Sequence, residues 1–157
     1  MNVENLKISK ESMPSHKIVY MRRVGQYGIE NQQLMESFKT WVKEKHLFDD
    51  NAVILGIAWD DIQSVQPERC RYDVCLIVAD EFVTEDKGIS ITRLEAGEYA
   101  VLEFPHTAEA VQEAWQKGIS ELMEQGYQLD FSRPVIERYA KQLIDIHRCE
   151  LCVPIIK

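Results

Sequence analysis

The chain lacks the signatures that mark the best-known chemical classes. None of its four histidines stands in an HExxH spacing, and no GxGxxG, GxxxxGK[ST] or GxSxG segment occurs. A zinc protease, a nucleotide-phosphate cradle and a serine hydrolase are therefore disfavoured, and no motif calls for a cofactor or a bound metal. Nowhere do about eighteen apolar residues run together, and the opening MNVENLKISK has neither a basic region nor an apolar core. The expectation is a cytoplasmic protein, neither secreted nor inserted in a membrane. Basic residues are also in deficit, 18 Lys and Arg against 26 Asp and Glu, for a net charge of -8. A field of that sign repels phosphate backbones and anionic lipid, so neither nucleic acid nor a membrane is an expected partner.

A disulfide or metal framework is missing too. Cys149 and Cys152 form a CxxC, but they lie in RCELCVPI, whose alternation reads as a strand. Residues three apart on a strand point to opposite faces, so the two sulfurs cannot share a metal. Cys70 and Cys75, five apart at the start of a similar strand, are separated in the same way. Reduced structural thiols are the expectation.

What is present fits one domain spanning 1–157, long enough to bury a core without staples. A weak duplication runs through it, with pseudo-repeats at about 1–80 and 88–157. The first copy reads Gly25-Gln26-Tyr27, a helix, VILGIAWD, then Arg71-Tyr72-Asp73-Val74-Cys75-Leu76. The second reads Gly97-Glu98-Tyr99, a helix, PVIERYA, then Arg148-Cys149-Glu150-Leu151-Cys152-Val153. Each copy is a β-α-β-β unit.

Helical periodicity predicts a first helix over Asn31–His46, with Leu34, Phe38, Trp41 and Val42 on one stripe. A second runs from an N-cap at Thr107 to a C-cap at Gly126, with Val111, Trp115, Gly118, Ile119 and Leu122 on its apolar stripe. Strands are predicted at Val3–Lys10, Lys17–Val24, Val53–Trp59, Arg71–Ala79, Ile89–Leu94, Tyr99–Phe104, Val135–Ala140 and Arg148–Ile155. Asp60–Glu68 and Asp80–Gly88 read as loops. The predicted class is α+β, with pseudo-twofold symmetry, two helices on a mostly antiparallel sheet and a central ligand cleft.

Glu137 is the most informative residue. On the strand PVIERYA it shares a face with Val135 and Tyr139, and a carboxylate between apolar and aromatic neighbours is partly desolvated. Such a group has a raised pKa and suits binding a cation or accepting a proton; the alternative is a surface glutamate paired with Lys or Arg. Trp115 is either a core aromatic or a flat wall for a planar ligand. Tyr27, Trp59, Tyr99, Phe104 and Tyr139 become a binding box only if they converge on one cleft with a carboxylate. Glu150 and Asp73 occupy matching strand positions, where a role as partners of arginine competes with a place in the site.

These segments resemble the GyrI-like small-molecule-binding domains, relatives of the effector-binding domains of AraC-type and multidrug-responsive regulators. The resemblance is carried by VGQYG, CRYDVCLIV, ITRLEAGEYAVLEFPHT, AWQKGISELMEQGYQ, RPVIERYAKQ and CELCVPI, which cover nearly the whole chain. It implies the stand-alone form, without a DNA-binding helix-turn-helix. It further implies that Glu137, before Tyr139, reaches a central cavity that takes apolar or cationic small molecules and meets their cationic or polar parts, that Glu150 belongs to the same pocket in some members, and that Trp115 lines the cavity as in the stand-alone branch. Some proteins of this kind resemble hydrolases that open strained, cyclopropanoid-type rings of DNA-alkylating toxins with the glutamate and tryptophan. Others bind DNA gyrase and protect against toxins, which makes gyrase a candidate partner. The sequence departs from the multidrug regulators in having few tyrosines around its Glu150 strand, with Cys152 where an aromatic is expected.

Overall fold

The computed structural model describes residues 6–156, so the first residues of the predicted Val3–Lys10 strand lie outside it. The strands are β1 (Lys7–Met13), β2 (His16–Val24), β3 (Val53–Ala58), β4 (Arg71–Val78), β5 (Ser90–Leu94), β6 (Gly97–Pro105), β7 (Ile136–Ala140) and β8 (Arg148–Pro154). They form one antiparallel sheet in the order β1-β6-β8-β7-β3-β4-β2-β5. Helix α1 (Ile29–Glu44) follows β2. The second predicted helix is α2 (Ala108–Glu113) and α3 (Ile119–Glu124), joined by a π-helical turn at Ala114–Gly118. Thr107 caps α2 as expected, its side chain accepting from the Ala110 amide. A one-turn helix, α4 (Lys141–Ile144), was not predicted, because KQLI is too short to show a period. Among the described residues no helix is long and apolar enough to cross a membrane.

The strand order is its own mirror. Exchanging β1 with β5, β2 with β6, β3 with β7 and β4 with β8, then reading backwards, returns the same list. A pseudo-twofold axis therefore passes between β3 and β7. The registers locate it: the rung Met13–Gly97 closes the β1/β6 ladder as Leu94–His16 closes β5/β2, which makes His16 the counterpart of Gly97. Carried through the remaining ladders, the same exchange makes Gly56 the counterpart of Glu137, and these two pair directly.

One part of the sequence alignment is corrected by this register. Arg71 and Arg148 open β4 and β8 as expected, but Gly25 follows β2 whereas Gly97 begins β6. The two Gly-x-Tyr segments are not counterparts, because their glycines meet different needs. Gly25 has φ 151 in the turn after β2, while a Cβ on Gly97 would collide with the Arg133 guanidinium.

The sheet is curled. Two-residue links join β1 to β2 and β5 to β6, a reach of about 10 Å. A flat sheet would hold β1 and β2, like β5 and β6, six strand spacings apart, about 29 Å from each other. Curling closes one face on itself, so Met13, Ile18, Leu55, Leu94, Tyr99 and Ile136 form a buried cluster with no helix above it. The other face carries the helices. Phe38 and Val42 of α1 pack on Val19, Val74 and Leu76, while Ala114 and Leu122 pack on Leu102, Leu151 and Val153. Between the two helical layers the central strands β3 and β7 are left as the floor of a cleft.

Strand alternation separates the cysteines as expected. Cys149 joins the cluster under the second helical layer and Cys152 the one inside the curl, and all four thiols are free and buried. Burial pushes the Cys149 and Cys152 thiols up to about 12, which keeps them protonated.

Candidate functional site

Alternation along β7 turns Ile136 into the curl and Glu137 and Tyr139 toward the helices. Glu137 thus stands on the pseudo-twofold axis, at the centre of the floor. The Trp115 indole, carried on the π turn, donates Nε1–H to Glu137 Oε2 at 3.1 Å. The Tyr72 hydroxyl on β4 donates to Oε1 at 3.5 Å, and the Tyr139 hydroxyl, on the same face, helps to favour the ionised carboxylate. Burial pushes the Glu137 carboxyl above its ordinary value, and the bonds from Trp115, Tyr139 and Tyr72 oppose that rise. Burial first and the Glu137 charge second push both tyrosine hydroxyls far above the usual phenol range. They remain donors at any physiological pH.

The site has its carboxylate because its counterpart has no side chain. Ideal Cβ geometry at Gly56 falls 2.6 Å from Tyr72 Oη and 2.9 Å from Glu137 Oε1. A second side chain on the axis would displace both groups, and a second glutamate would set like charges across one rung. Gly56→Ala is expected to destabilise by about 1–3 kcal/mol from overpacking and to shift Trp115 emission by moving its acceptor. Equilibrium denaturation and fluorescence of the folded variant check this; an unchanged melt and spectrum would show that the contact yields freely.

Glu137 also differs from the other enclosed carboxylates in what surrounds it. Asp73 is held by Arg22, Glu150 by Arg138, Glu103 by Arg148, Asp60 by Arg71 and Asp130 by Arg133. Among the described residues no ion pair reaches Glu137, and its partners are neutral donors. When ionised, a desolvated carboxylate bonded by neutral groups has no cation of the protein to balance it, so a cationic ligand can supply that balance.

Two lobes open from this point. The first, about 610 Å³, lies between α1 and α2 and is lined by Asn31, Gln32, Glu36, Lys39, His106, Thr107 and Gln112. The second, about 490 Å³, is lined by Tyr27, Trp59, Ile62, Trp115, Ile119, Phe131, Pro134 and Val135. Both include Asn31, Tyr72 and Glu137, so they meet over the carboxylate. Each has the size of a small-molecule pocket.

Of the residues singled out from sequence, Glu137, Trp115, Tyr27, Trp59 and Tyr139 line this cleft. Three others do not. Glu150 is on the opposite face of the sheet, gripped by Arg138 through Nε and Nη2 at 2.9 Å each, so it cannot join the pocket of Glu137. The reason is alternation: Leu151, not Glu150, shares the rung and the face of Glu137. Tyr99 lies inside the curl with the Arg133 guanidinium 5.0 Å above its ring. Phe104 is core beneath the second helical layer. Asp73, the counterpart of Glu150, is likewise buried and structural, accepting Arg22 and the Trp59 indole.

Sequence reading missed Tyr72, Gly56 and the mouth residues Ile62 and Phe131. Gly56 carried a signal, since a lone glycine inside a strand pattern marks close approach. Tyr72 carried none, being one apolar residue in an apolar strand. Among the described residues no group of three or more His, Cys, Asp or Glu is placed to hold a metal.

Comparison with known proteins agrees with this architecture. The Bacillus subtilis (strain 168) protein named "SPbeta prophage-derived putative transcriptional regulator YosT" is 42% identical over 151 residues, 96% of this chain and 99% of that protein. The EcmrR C-terminal domain matches with TM-score 0.70 at 14% identity, over 97% of this chain and 98% of that one. The structure of SAV2435 bound to tetraphenylphosphonium matches with TM-score 0.61 at 15% identity, over 96% and 94%. At such identities the structural likenesses show the fold. The model of the GyrI-like small molecule binding domain matches residues 6–156, and the chain belongs to that family.

Proposed function

We propose that the cleft binds a small molecule with an apolar body and a positive charge, the charge resting on Glu137. The observation that carries this is a carboxylate enclosed by protein that, among the described residues, meets neutral donors, Trp115 and Tyr72, and no cation, and that opens on an apolar lobe. A cation there gains Coulomb attraction in a poorly solvated setting, and the indole and phenol faces add cation–π contact. Its body meets Trp59, Ile119 and Val135.

Two ions of matched shape test the sign of the site. Tetraphenylphosphonium should quench tryptophan emission saturably, whereas tetraphenylborate, equal in bulk and opposite in charge, should bind at least about tenfold more weakly. Equal affinity for both would show that bulk alone is recognised.

The Trp115–Glu137 bond supports a second, finer reading, detoxifying hydrolysis of a strained electrophile. Water adds to a ring carbon and passes a proton to Glu137. The strained C–C bond breaks, its electron pair moves to a conjugated carbonyl oxygen of the ligand, and the proton returns from Glu137 to that oxygen. Incubation with a spirocyclopropyl dienone separates the readings. Turnover beyond one equivalent per protein supports hydrolysis; saturable retention without product supports a binder.

A further inference from the structure

We infer that the ligand class is an elongated amphipathic amine: an apolar body in the second lobe, a protonated nitrogen over Glu137, and a hydroxyl-bearing arm in the first lobe. This rests on the cation-binding reading and adds the kind of molecule that satisfies the whole cleft.

The lobes have opposite chemistry on either side of one carboxylate. At the mouth of the second, Phe131 is 85% exposed and Ile62 67% exposed, so two large apolar side chains stand in water beside an apolar cavity. Covering them with an alkyl or aryl body removes that area from solvent. The loops that carry them are anchored at their stems: Asp60 holds Arg71, and Asp130 binds Arg133 and the Ser132 amide. Asp60, Asp130 and Arg133 are thereby paired and Asp61 accepts from the Gln63 amide and the Ser64 hydroxyl, so away from Glu137 a ligand meets mainly the apolar surface of this lobe.

The first lobe is walled by side-chain amides. Gln32 on α1 and Gln112 on α2 face it together with Asn31 and Thr107. No hydrogen bond among the described residues engages the Gln32 or Gln112 amide. An amide presents a donor and an acceptor together, as does a hydroxyl, so this wall suits a polyol of either bond polarity. An anionic arm fits poorly. Lys39 is the lobe's single Lys or Arg, it lies 3.9 Å from Glu36, and Glu137 adds a further negative charge. Because Asn31, Tyr72 and Glu137 belong to both lobes, a nitrogen on the carboxylate has open space on either side for unlike substituents.

A matched series of real compounds, titrated calorimetrically into the full chain below their micelle concentrations, tests the inference. N-octyl-D-glucamine carries all three parts; N-methyloctylamine lacks the polyol, N-methyl-D-glucamine lacks the octyl body, and N-octanoyl-N-methylglucamide lacks the charge. The complete molecule should bind about tenfold more tightly than N-methyloctylamine. In Gln32→Ala/Gln112→Ala, two surface changes that leave the core intact, its affinity should fall to that of N-methyloctylamine, whose own affinity stays constant. Phe131→Ala should weaken both octyl amines and leave N-methyl-D-glucamine as it was. If the polyol adds nothing, or the double variant keeps the difference, the polar arm is refuted while the cation site stands. If the neutral amide binds as tightly as N-octyl-D-glucamine, the cation reading fails, and this inference with it.

Discussion

Glu137→Gln is expected to lower affinity for tetraphenylphosphonium by about 100-fold while leaving the protein folded. The amide keeps the shape of the carboxylate: its oxygen can still accept from the Trp115 indole while its nitrogen donates to the Tyr72 hydroxyl, which can turn to accept, so what disappears is the charge. The variant should also lose its discrimination between the phosphonium and the borate, since only Glu137 gives the floor its sign. Any hydrolytic turnover should drop by about two to four orders of magnitude.

The pH dependence has a definite direction. Burial raises the Glu137 carboxyl above its ordinary 4.5, so cation affinity is constant above that raised value and falls as pH drops through it. Stability of the ligand-free protein runs the other way. A carboxyl with a raised folded pKa stabilises the fold fully below its unfolded value, and the contribution is lost as pH rises through the folded one. Glu137→Gln should therefore be at least as stable as the parent at neutral pH without ligand. A melt in which the variant loses several degrees, or a titration in which phosphonium affinity is unchanged, would remove Glu137 from the site.

Arg138→Ala should have the largest effect on stability, about 3–5 kcal/mol and on the order of 10 °C in melting temperature. Arg138 stands beside Glu137 in sequence but on the opposite face, bidentate to Glu150 at 2.9 Å and to Glu11 at 2.7 and 2.9 Å. Glu11 is on β1, at one edge of the sheet, and Glu150 on central β8, so this guanidinium pins the flank of the curl to its centre. The bond from Arg138 holds the Glu11 carboxyl below its ordinary range despite burial. That part of the stability is present at neutral pH and is lost as pH falls through the depressed value. Deleting the arginine leaves two carboxylates facing each other. Replacing all three residues by apolar ones of similar volume should recover most of the loss, because the cost lies in the orphaned charges. Folded Arg138→Ala should bind tetraphenylphosphonium within about threefold of the parent. A larger change would mean that the two faces of β7 are coupled.

Read locally, the sequence was a good guide. The alternation of VILGIAWD, CRYDVCLIV and RPVIERYA placed β3, β4 and β7 within a residue or two of where they lie. Period-two alternation is a property of one segment, so no distant contact is needed to see it. It also put Cys149 and Cys152 on opposite faces and singled out Glu137 between Val135 and Tyr139. The same alternation, followed from β7 into β8, was what the family resemblance overrode in assigning Glu150 to the pocket. The π turn under Trp115 was illegible, because an added residue in a helical turn leaves no mark on an apolar stripe.

By itself, then, the sequence determined the eight strands and the two long helical stretches, which way their side chains alternate, the acidic field and a strand carboxylate with aromatic company. Which groups would meet that carboxylate was decided by tertiary structure alone. Tyr72, Trp115 and Gly56 come from β4, the π turn and β3, and the curled sheet with its palindromic order brings them to one axis. A strand pattern fixes which way a side chain points. It does not fix the register across the axis, and that register sets a glycine opposite Glu137 and so makes room for a charge.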